Sequence, residues 1–311
     1  MNKVLIMLST YNGHKYLREQ LDSLYAQEGV DIHILVRDDG SKDDTLEILK
    51  DYKEHKGKMT ILPTPNVGAA KSFHFLAHFA LYEMQMFDYY AFCDQDDVWL
   101  KDKLYKSCIS LNKSTAQYKL YYGPAILVDG CLNPLETSST KIVNNLEANI
   151  FASRSLGCTQ VFNKALLEKF VSLFDYITNA NSNDFIPLHD GWISLIAYAL
   201  DADVMVGEEP LIFYRQHGHN VVGANENYFI RTKKRLKRFV NGSCPKSSKC
   251  KLVLKYLGDD IPQANYQLLD LCANYKDSVA KRIRLATTSN MYQYSVADNI
   301  GLLATIVSGT F

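Results

Sequence analysis

The run Tyr89-Tyr90-Ala91-Phe92-Cys93-Asp94-Gln95-Asp96-Asp97-Val98-Trp99 begins apolar and aromatic and stops on three carboxylates within four residues. It reads as a buried strand that delivers Asp94, Asp96 and Asp97 to its C-terminal tip. Carboxylates that close repel one another, so the cluster requires a cation or raised pKa values. Oxygen ligands on a short loop suit Mg2+ or Mn2+, ions that commonly also hold substrate phosphates. An Asp-x-Asp at a strand end is therefore a candidate metal–diphosphate site. The plainer alternative is a solvated turn that caps the following helix.

Working outward, the same pattern recurs upstream. Val4-Leu5-Ile6-Met7-Leu8 is an apolar strand ending in Ser9-Thr10-Tyr11-Asn12, and a helix follows with Leu17, Leu21, Leu24 and Tyr25 at helical spacing. Ile32-His33-Ile34-Leu35-Val36 ends in Arg37-Asp38-Asp39-Gly40-Ser41 before a helix through Leu46 and Leu49. Met59-Thr60-Ile61-Leu62 is followed by Asn66-Val67-Gly68 and a helix carrying Phe73, Leu76, Ala77 and Ala80. Strands alternating with helices predict a mostly parallel sheet covered by helices on both faces. Ligands of such sheets bind outside the carboxyl ends of the strands. Those ends carry Thr10 and Tyr11, Asp38 and Asp39, Asn66, and Asp94 and Asp96. No Gly-x-Gly-x-x-Gly follows the first strand and no Gly-x-x-x-x-Gly-Lys-Ser/Thr occurs, which disfavours dinucleotide oxidoreductases and P-loop enzymes.

Taken in order, Ser-Thr-Tyr-Asn, Asp-Asp-Gly-Ser, Asn-Val-Gly and Asp-x-Asp-Asp resemble the nucleotide-sugar-binding half of family 2 glycosyltransferases with the GT-A fold. The second half extends the likeness. Leu188-His189-Asp190-Gly191-Trp192, Glu209-Pro210-Leu211 and Tyr214-Arg215-Gln216-His217-Gly218-His219-Asn220 are similar to the rhamnosyltransferase-like branch, which serves polysaccharide assembly. The resemblance spans residues 3–225. It implies the nucleotide-diphospho-sugar transferase (GT-A) fold, an inverting sugar transfer, a divalent cation (Mg2+ or Mn2+), a dTDP- or UDP-sugar donor, and a saccharide or lipid-linked saccharide acceptor. One departure concerns the acceptor side: Gly191 stands where the branch usually carries a second aromatic. Gly123-Pro124-Ala125-Ile126 also departs from the polar tract expected there.

Inverting transfer is a single displacement at the anomeric carbon. It needs one base for the acceptor hydroxyl and one electrophile for the leaving diphosphate, not the paired carboxylates of a glycosidase. The resemblance assigns the base to Asp190, the metal to Asp96 with His217, a nucleobase contact to Asp39, and the lining of the nucleotide pocket to Thr10 and Tyr11. Asn66 and Asp94 complete the donor-side set. Each role has a structural rival. Asp190 is a favoured N-cap for a helix over 191–200. His217 lies in a Gly/Asn-rich loop. Asp39 suits an Asx turn. His189 could serve as a ligand but fits better a histidine that orients its neighbour or makes a core hydrogen bond, and Lys71 could reach a phosphate but fits better a solvated helix start.

With 311 residues, 47% hydrophobic and 22% charged, the chain can bury a full core. Its seven cysteines are scattered without a Cys-x-x-Cys pair, as in a reduced cytoplasmic protein; Cys93 and Cys158 read as small core residues. Met1-Asn2-Lys3 leads straight into a strand, so no signal peptide is expected, and no apolar run reaches the about 18 residues of a membrane span. The zero net charge hides a split. Residues 1–230 hold 20 basic and 29 acidic residues, whereas 231–311 hold 14 and 5. A domain of residues 1–226 followed by a basic helical region of 227–311 is expected, the break falling near 225–229, with two or three further helices in the tail. Residues 231–255, ten of them basic and none acidic, suit either an anionic inner-leaflet membrane surface or packing on the acidic first domain. Nucleic acid is not expected, because no base-reading module accompanies the charge. Two other functions fit the pattern less well. A sugar nucleotidyltransferase needs a glycine- and base-rich first loop, and a non-catalytic binding protein has no use for a repelling carboxylate cluster.

Overall fold

The computed structural model describes residues 1–84, 86–138, 145–152, 156–179, 188–217, 246–288 and 296–311. The first half alternates as expected: β1 (Lys3–Thr10), α1 (His14–Tyr25), β2 (Asp31–Asp38), α2 (Thr45–Lys56), β3 (Met59–Pro63), α3 (Ala69–Glu83) and β4 (Tyr89–Cys93). Then come β5 (Val98–Trp99), α4 (Lys103–Asn112), β6 (Lys119–Tyr122), β7 (Ile126–Val128), β8 (Pro134–Thr137), α5 (Leu146–Ala152), β9 (Val161–Asn163), α6 (Lys164–Asn179), α7 (His189–Ala199), β10 (Asp203–Val206) and β11 (Ile212–Arg215).

The main sheet has seven strands in the order β10-β6-β9-β4-β1-β2-β3. Next to the central β4 runs β1, whose Val4–Leu8 are fully buried, the continuous apolar run typical of a parallel strand covered on both faces. Registers align the strand ends: Thr10 pairs with Asp38, Leu8 with Cys93, and Asp38 with Pro63. The polar residues that follow each strand therefore emerge along one edge. On α1 the predicted stripe of Leu17, Leu21 and Leu24 is buried, and on α3 so are Phe73, Leu76, Ala77 and Ala80.

Two departures from strict alternation matter for the site. Strand β9 runs antiparallel between β4 and β6, with Ala91 opposite Val161 and Leu120 opposite Phe162. The residues just before it, Gly157–Thr159 in a short 3-10 turn, therefore run beside the C-terminal end of β4. A second, four-stranded sheet has the order β5-β11-β7-β8. In it Ile212 pairs with Trp99 and Arg215 with Val128, which carries the end of β11 to the loop holding Asp96 and Asp97.

By its contacts the chain divides into two units. One comprises the described residues of 1–140, 155–193 and 202–217, and contains both sheets. The other comprises those of 141–154, 194–201 and 218–311. Beyond residue 245 it holds four described helices, one or two more than expected: α8 (Lys246–Leu257), α9 (Gln263–Ala273), α10 (Val279–Thr288) and α11 (Val296–Ser308). Their apolar residues Val253, Leu257, Leu269, Leu285 and Ile306 are buried. Lys246 is half-buried, and its Nζ donates to the carbonyl oxygens of Ile150 (2.6 Å) and Phe151 (2.5 Å) at the end of α5. Cations suit that helix end. Burial pulls the Lys246 amine down to about 8. The amphipathic segment 231–240 and the expected break at 225–229 lie outside the described residues, as does most of the basic stretch 231–255. Among the described residues no helix is long and apolar enough to cross a membrane.

Candidate active site

The carboxylates at the tip of β4 occupy distinct environments. Asp94 and Asp96 are partly exposed, whereas Asp97 is fully buried. The Asp94 carboxyl is pushed up to about 7 by burial first, then by the charges of Asp96 and Asp190. The repulsion expected from the sequence is therefore present, and a carboxylate from the second half of the chain takes part in it. Asp97 is driven well above the usual range by burial and by Asp96 and Asp94. Its Oδ1 accepts the Arg215 backbone N–H at 3.1 Å.

Helix α7 supplies Asp190. The helix starts at His189, earlier than expected, so Asp190 lies in its first turn rather than at an N-cap. Its Oδ1 accepts the N–H of Gly191 at 2.6 Å. The Gln160 side-chain amide donates to the Asp190 carbonyl oxygen at 3.0 Å, tying α7 to the residue before β9. Close approach of the 3-10 turn tightens this joint. A Cβ on Gly157 would lie 2.5 Å from His189 Nε2 and 3.0 Å from Asp190 Cβ. His189 itself is buried, with its ring 3.7 Å from that of Phe73 and 4.6 Å from that of Phe92. The core hydrogen bond anticipated for it is not made, since neither ring nitrogen has a partner. Burial depresses the imidazole to about 3, so it is neutral at physiological pH.

Strand β11 delivers Arg215 and, two residues on, His217. The buried Arg215 guanidinium donates to the carbonyl oxygens of Asp96 (2.8 Å) and Gly130 (2.6 Å) and to Glu19 Oε2 (2.5 Å), and lies 4.2 Å from the centre of the Tyr16 ring. His217 Nε2 is 2.7 Å from Asp96 Oδ2, and its ring lies 5.2 Å from that of Tyr16. Both side chains of that pair are 17% exposed, open enough to exchange a ligand. Asp96 and His217 thus offer a partly exposed oxygen and nitrogen pair, ligand types that suit a hard or borderline divalent cation. Asp94, Asp97 and Cys158 also bring ligand atoms within 4.8 Å of one another. Burial drives the Asp97 carboxyl and the Cys158 thiol upward.

The donor-side residues are held by a chain of hydrogen bonds. Buried Thr10 donates through Oγ1 to Asp38 Oδ1 at 3.0 Å, and Asp38 also accepts the Ser41 hydroxyl at 2.6 Å. Exposed Tyr11 is fixed by its backbone: its N–H donates to Gln95 Oε1 at 2.8 Å, and its carbonyl accepts from Gln95 Nε2 at 3.1 Å. Asp39 is buried in an ion pair with Arg37 and accepts the N–H groups of Val67 and Gly68, each at 2.8 Å. Those three donors leave about one of its four lone-pair positions for a ligand. Asn66 is exposed on the same β3–α3 loop. Sequence reasoning quoted Gln95, Arg215 and Gly157 only within motifs or passed over them; their roles come from packing.

The family model for Glycosyl transferase family 2 matches residues 5–115. The dTDP-rhamnosyl transferase RfbG of Shigella flexneri is 31% identical over 234 residues, covering 73% of this chain and 77% of RfbG. An uncharacterized glycosyltransferase of Nostoc sp. is 25% identical over 227 residues, 70% of this chain and 66% of its own. The crystal structure of Staphylococcus aureus TarS residues 1–349 in complex with UDP-GlcNAc superposes with a TM-score of 0.57 at 15% identity, covering 99% of this chain and 91% of that one. At that identity the likeness establishes the fold alone, the mixed α/β GT-A architecture.

Proposed function

The chain belongs to glycosyl transferase family 2, and from that premise we propose that it catalyses inverting, cation-assisted sugar transfer from a nucleotide diphosphate donor to a saccharide hydroxyl. The observation that carries this reading is the convergence of Asp94, Asp96 and Asp190, close enough for the last two to raise the first. That proximity supports the reading of Asp190 as an acceptor-side base beside a diphosphate-side carboxylate pair.

In this reading Asp190 takes the proton of the acceptor hydroxyl. The acceptor oxygen forms its bond to the anomeric carbon as the bond to the diphosphate breaks, and the diphosphate leaves with the electron pair. Asp96 and His217 would hold the divalent cation, which would offset charge on the leaving diphosphate. Thr10, Tyr11, Asp39 and Asn66 border the nucleotide, and Asp94 the sugar–diphosphate. The 31% identity to a protein named as a dTDP-rhamnosyl transferase favours a dTDP-deoxyhexose donor; a UDP-sugar is the alternative. A surface-polysaccharide acceptor on a lipid carrier, met at the cytoplasmic face of a membrane, fits the basic excess of residues 231–311.

The test is a thermal-shift panel of UDP, dTDP, GDP and CDP, each with and without Mn2+. A Mn2+-dependent rise in Tm with one diphosphate supports the reading and names the base. No shift with any of the four sinks it.

A further inference from the structure

Gln95, the residue between the two carboxylates of the Asp-x-Asp, does not point idly into solvent. Its side-chain amide engages both backbone polar groups of Tyr11, accepting the N–H at 2.8 Å and donating to the carbonyl at 3.1 Å. Only a primary amide offers one acceptor and one donor at that spacing. The chain then wraps around it: a Cβ on Gly13 would lie 2.2 Å from Gln95 Oε1 and 2.6 Å from its Cδ. On its other side the same turn is pinned to the β2–α2 loop. Asn12 N–H donates to Ser41 Oγ (2.9 Å), Lys42 N–H to Asn12 Oδ1 (2.9 Å) and Gly13 N–H to Thr45 Oγ1 (2.8 Å). Asn12 sits in the left-handed region at φ 48°, a conformation that persists only where surrounding contacts impose it. Gln95 is thus the pin that joins this turn to the tip of β4.

We propose that Gln95 is a positioning residue that couples cation occupancy at the tip of β4 to nucleotide binding at the end of β1. It rests on the reading of this edge as a cation-assisted nucleotide-sugar site. With a cation held at Asp96 and His217, the backbone at Asp96 would be fixed, and the amide of the neighbouring Gln95 would pass that setting to Tyr11 and the turn behind it. Coupling of this kind is reciprocal: the cation tightens the nucleotide by the factor by which the nucleotide tightens the cation.

The experiment measures the Kd of the nucleoside diphosphate that the wild type binds, by calorimetry, with and without Mn2+. Two variants accompany it: Gln95→Met, which keeps the length and loses both hydrogen bonds, and Gln95→Ala. The expected result is a Mn2+-induced tightening in the wild type that shrinks roughly three- to tenfold in both variants, the factor carried by one or two hydrogen bonds. Their metal-free Tm stays near that of the wild type. An undiminished factor overturns the coupling. A wild type with no Mn2+-dependent nucleotide binding overturns the function reading, and this proposal with it. A fourth measurement is independent of any ligand: Gly13→Ala lowers Tm, and Gly13→Ala combined with Gln95→Ala restores it. If removing Gln95 gives no rescue, the clamp geometry is refuted.

Discussion

His217 Nε2 stands 2.7 Å from Asp96 Oδ2 although 121 residues separate them in the chain. The pairing of β11 with β5, Phe213 against Val98, and the anchoring of Arg215 to the Asp96 carbonyl produce that contact. It joins the first half of the chain to the second at the tip of β4, where the proposed cation would sit.

Removing either partner should therefore weaken cation use before it weakens the fold. His217→Ala is expected to raise the Mn2+ concentration for half-maximal activity by at least about 10- to 100-fold, the range seen for loss of a residue that only supports a metal ligand. Asp96→Ala should abolish the Mn2+-dependent part of nucleotide binding. A Mn2+ titration of activity and of nucleotide Kd checks both, and unchanged Mn2+ dependence in His217→Ala would remove that residue from the site.

Asp190→Asn should lower kcat by roughly 10²–10⁴, the usual contribution of a general base, while donor affinity stays close to wild type. It should also relax Asp94. Because the Asp190 charge helps hold that carboxyl near 7, neutralising it moves the Asp94 titration to lower pH, which shifts the pH dependence of Mn2+-assisted nucleotide binding in the same direction. Full transfer by Asp190→Asn would assign the base elsewhere.

His189 predicts an acid-labile fold. Its folded pKa is depressed to about 3 by burial, against about 6.5 in the unfolded chain. Between those values the unfolded state binds the proton and the native state does not. Its contribution is therefore present above about 6.5 and is lost as pH falls toward 3, at up to about 1.4 kcal/mol per pH unit. Asp94 acts in the opposite sense between about 4 and 7, since there the native state holds the extra proton. Comparing wild type with His189→Leu by urea unfolding across pH 4–7 isolates the histidine: the wild type should lose more stability on acidification than the variant. Parallel pH curves would contradict the burial argument.

Asp39→Ala should cost stability. Its carboxylate compensates buried Arg37 and holds the amides of Val67 and Gly68, and opening a buried pair from one side typically costs about 3–5 kcal/mol. Chemical denaturation gives the figure. A loss below about 1 kcal/mol, the level of an exposed pair, would mean that solvent or Pro65, whose carbonyl already accepts from Arg37, takes up the charge.

Much of this architecture was legible because it is local. A run such as Val4–Leu8 reports burial on both faces, and Leu17, Leu21 and Leu24 report a helix with one buried side, wherever each ends up. The polar residues after each strand follow from the strand itself, and so the sheet edge bearing Asp39, Asn66 and Asp94 was readable. Asp190 and His217 were found through resemblance in ordered motifs, and the packing of α7 and β11 then gave them a geometry. Of the roles open to His189, the core hydrogen bond is not made; Phe73 and Phe92 lie against its ring instead, a packing that its sequence neighbours do not record.

The sequence by itself determined the elements, their order, and the carboxylate-rich edge, since periodicity, turn residues and charge spacing act over a few residues. Tertiary structure decided which of those residues meet. The antiparallel insertion of β9, which sets Gly157 against the start of α7, and the small sheet that carries His217 to Asp96 depend on strand pairings between distant segments. So does the clamp of Gln95 on Tyr11. Side-chain patterns record how deeply a segment is buried but not its neighbour, and the neighbour is chosen only when the whole core packs at once.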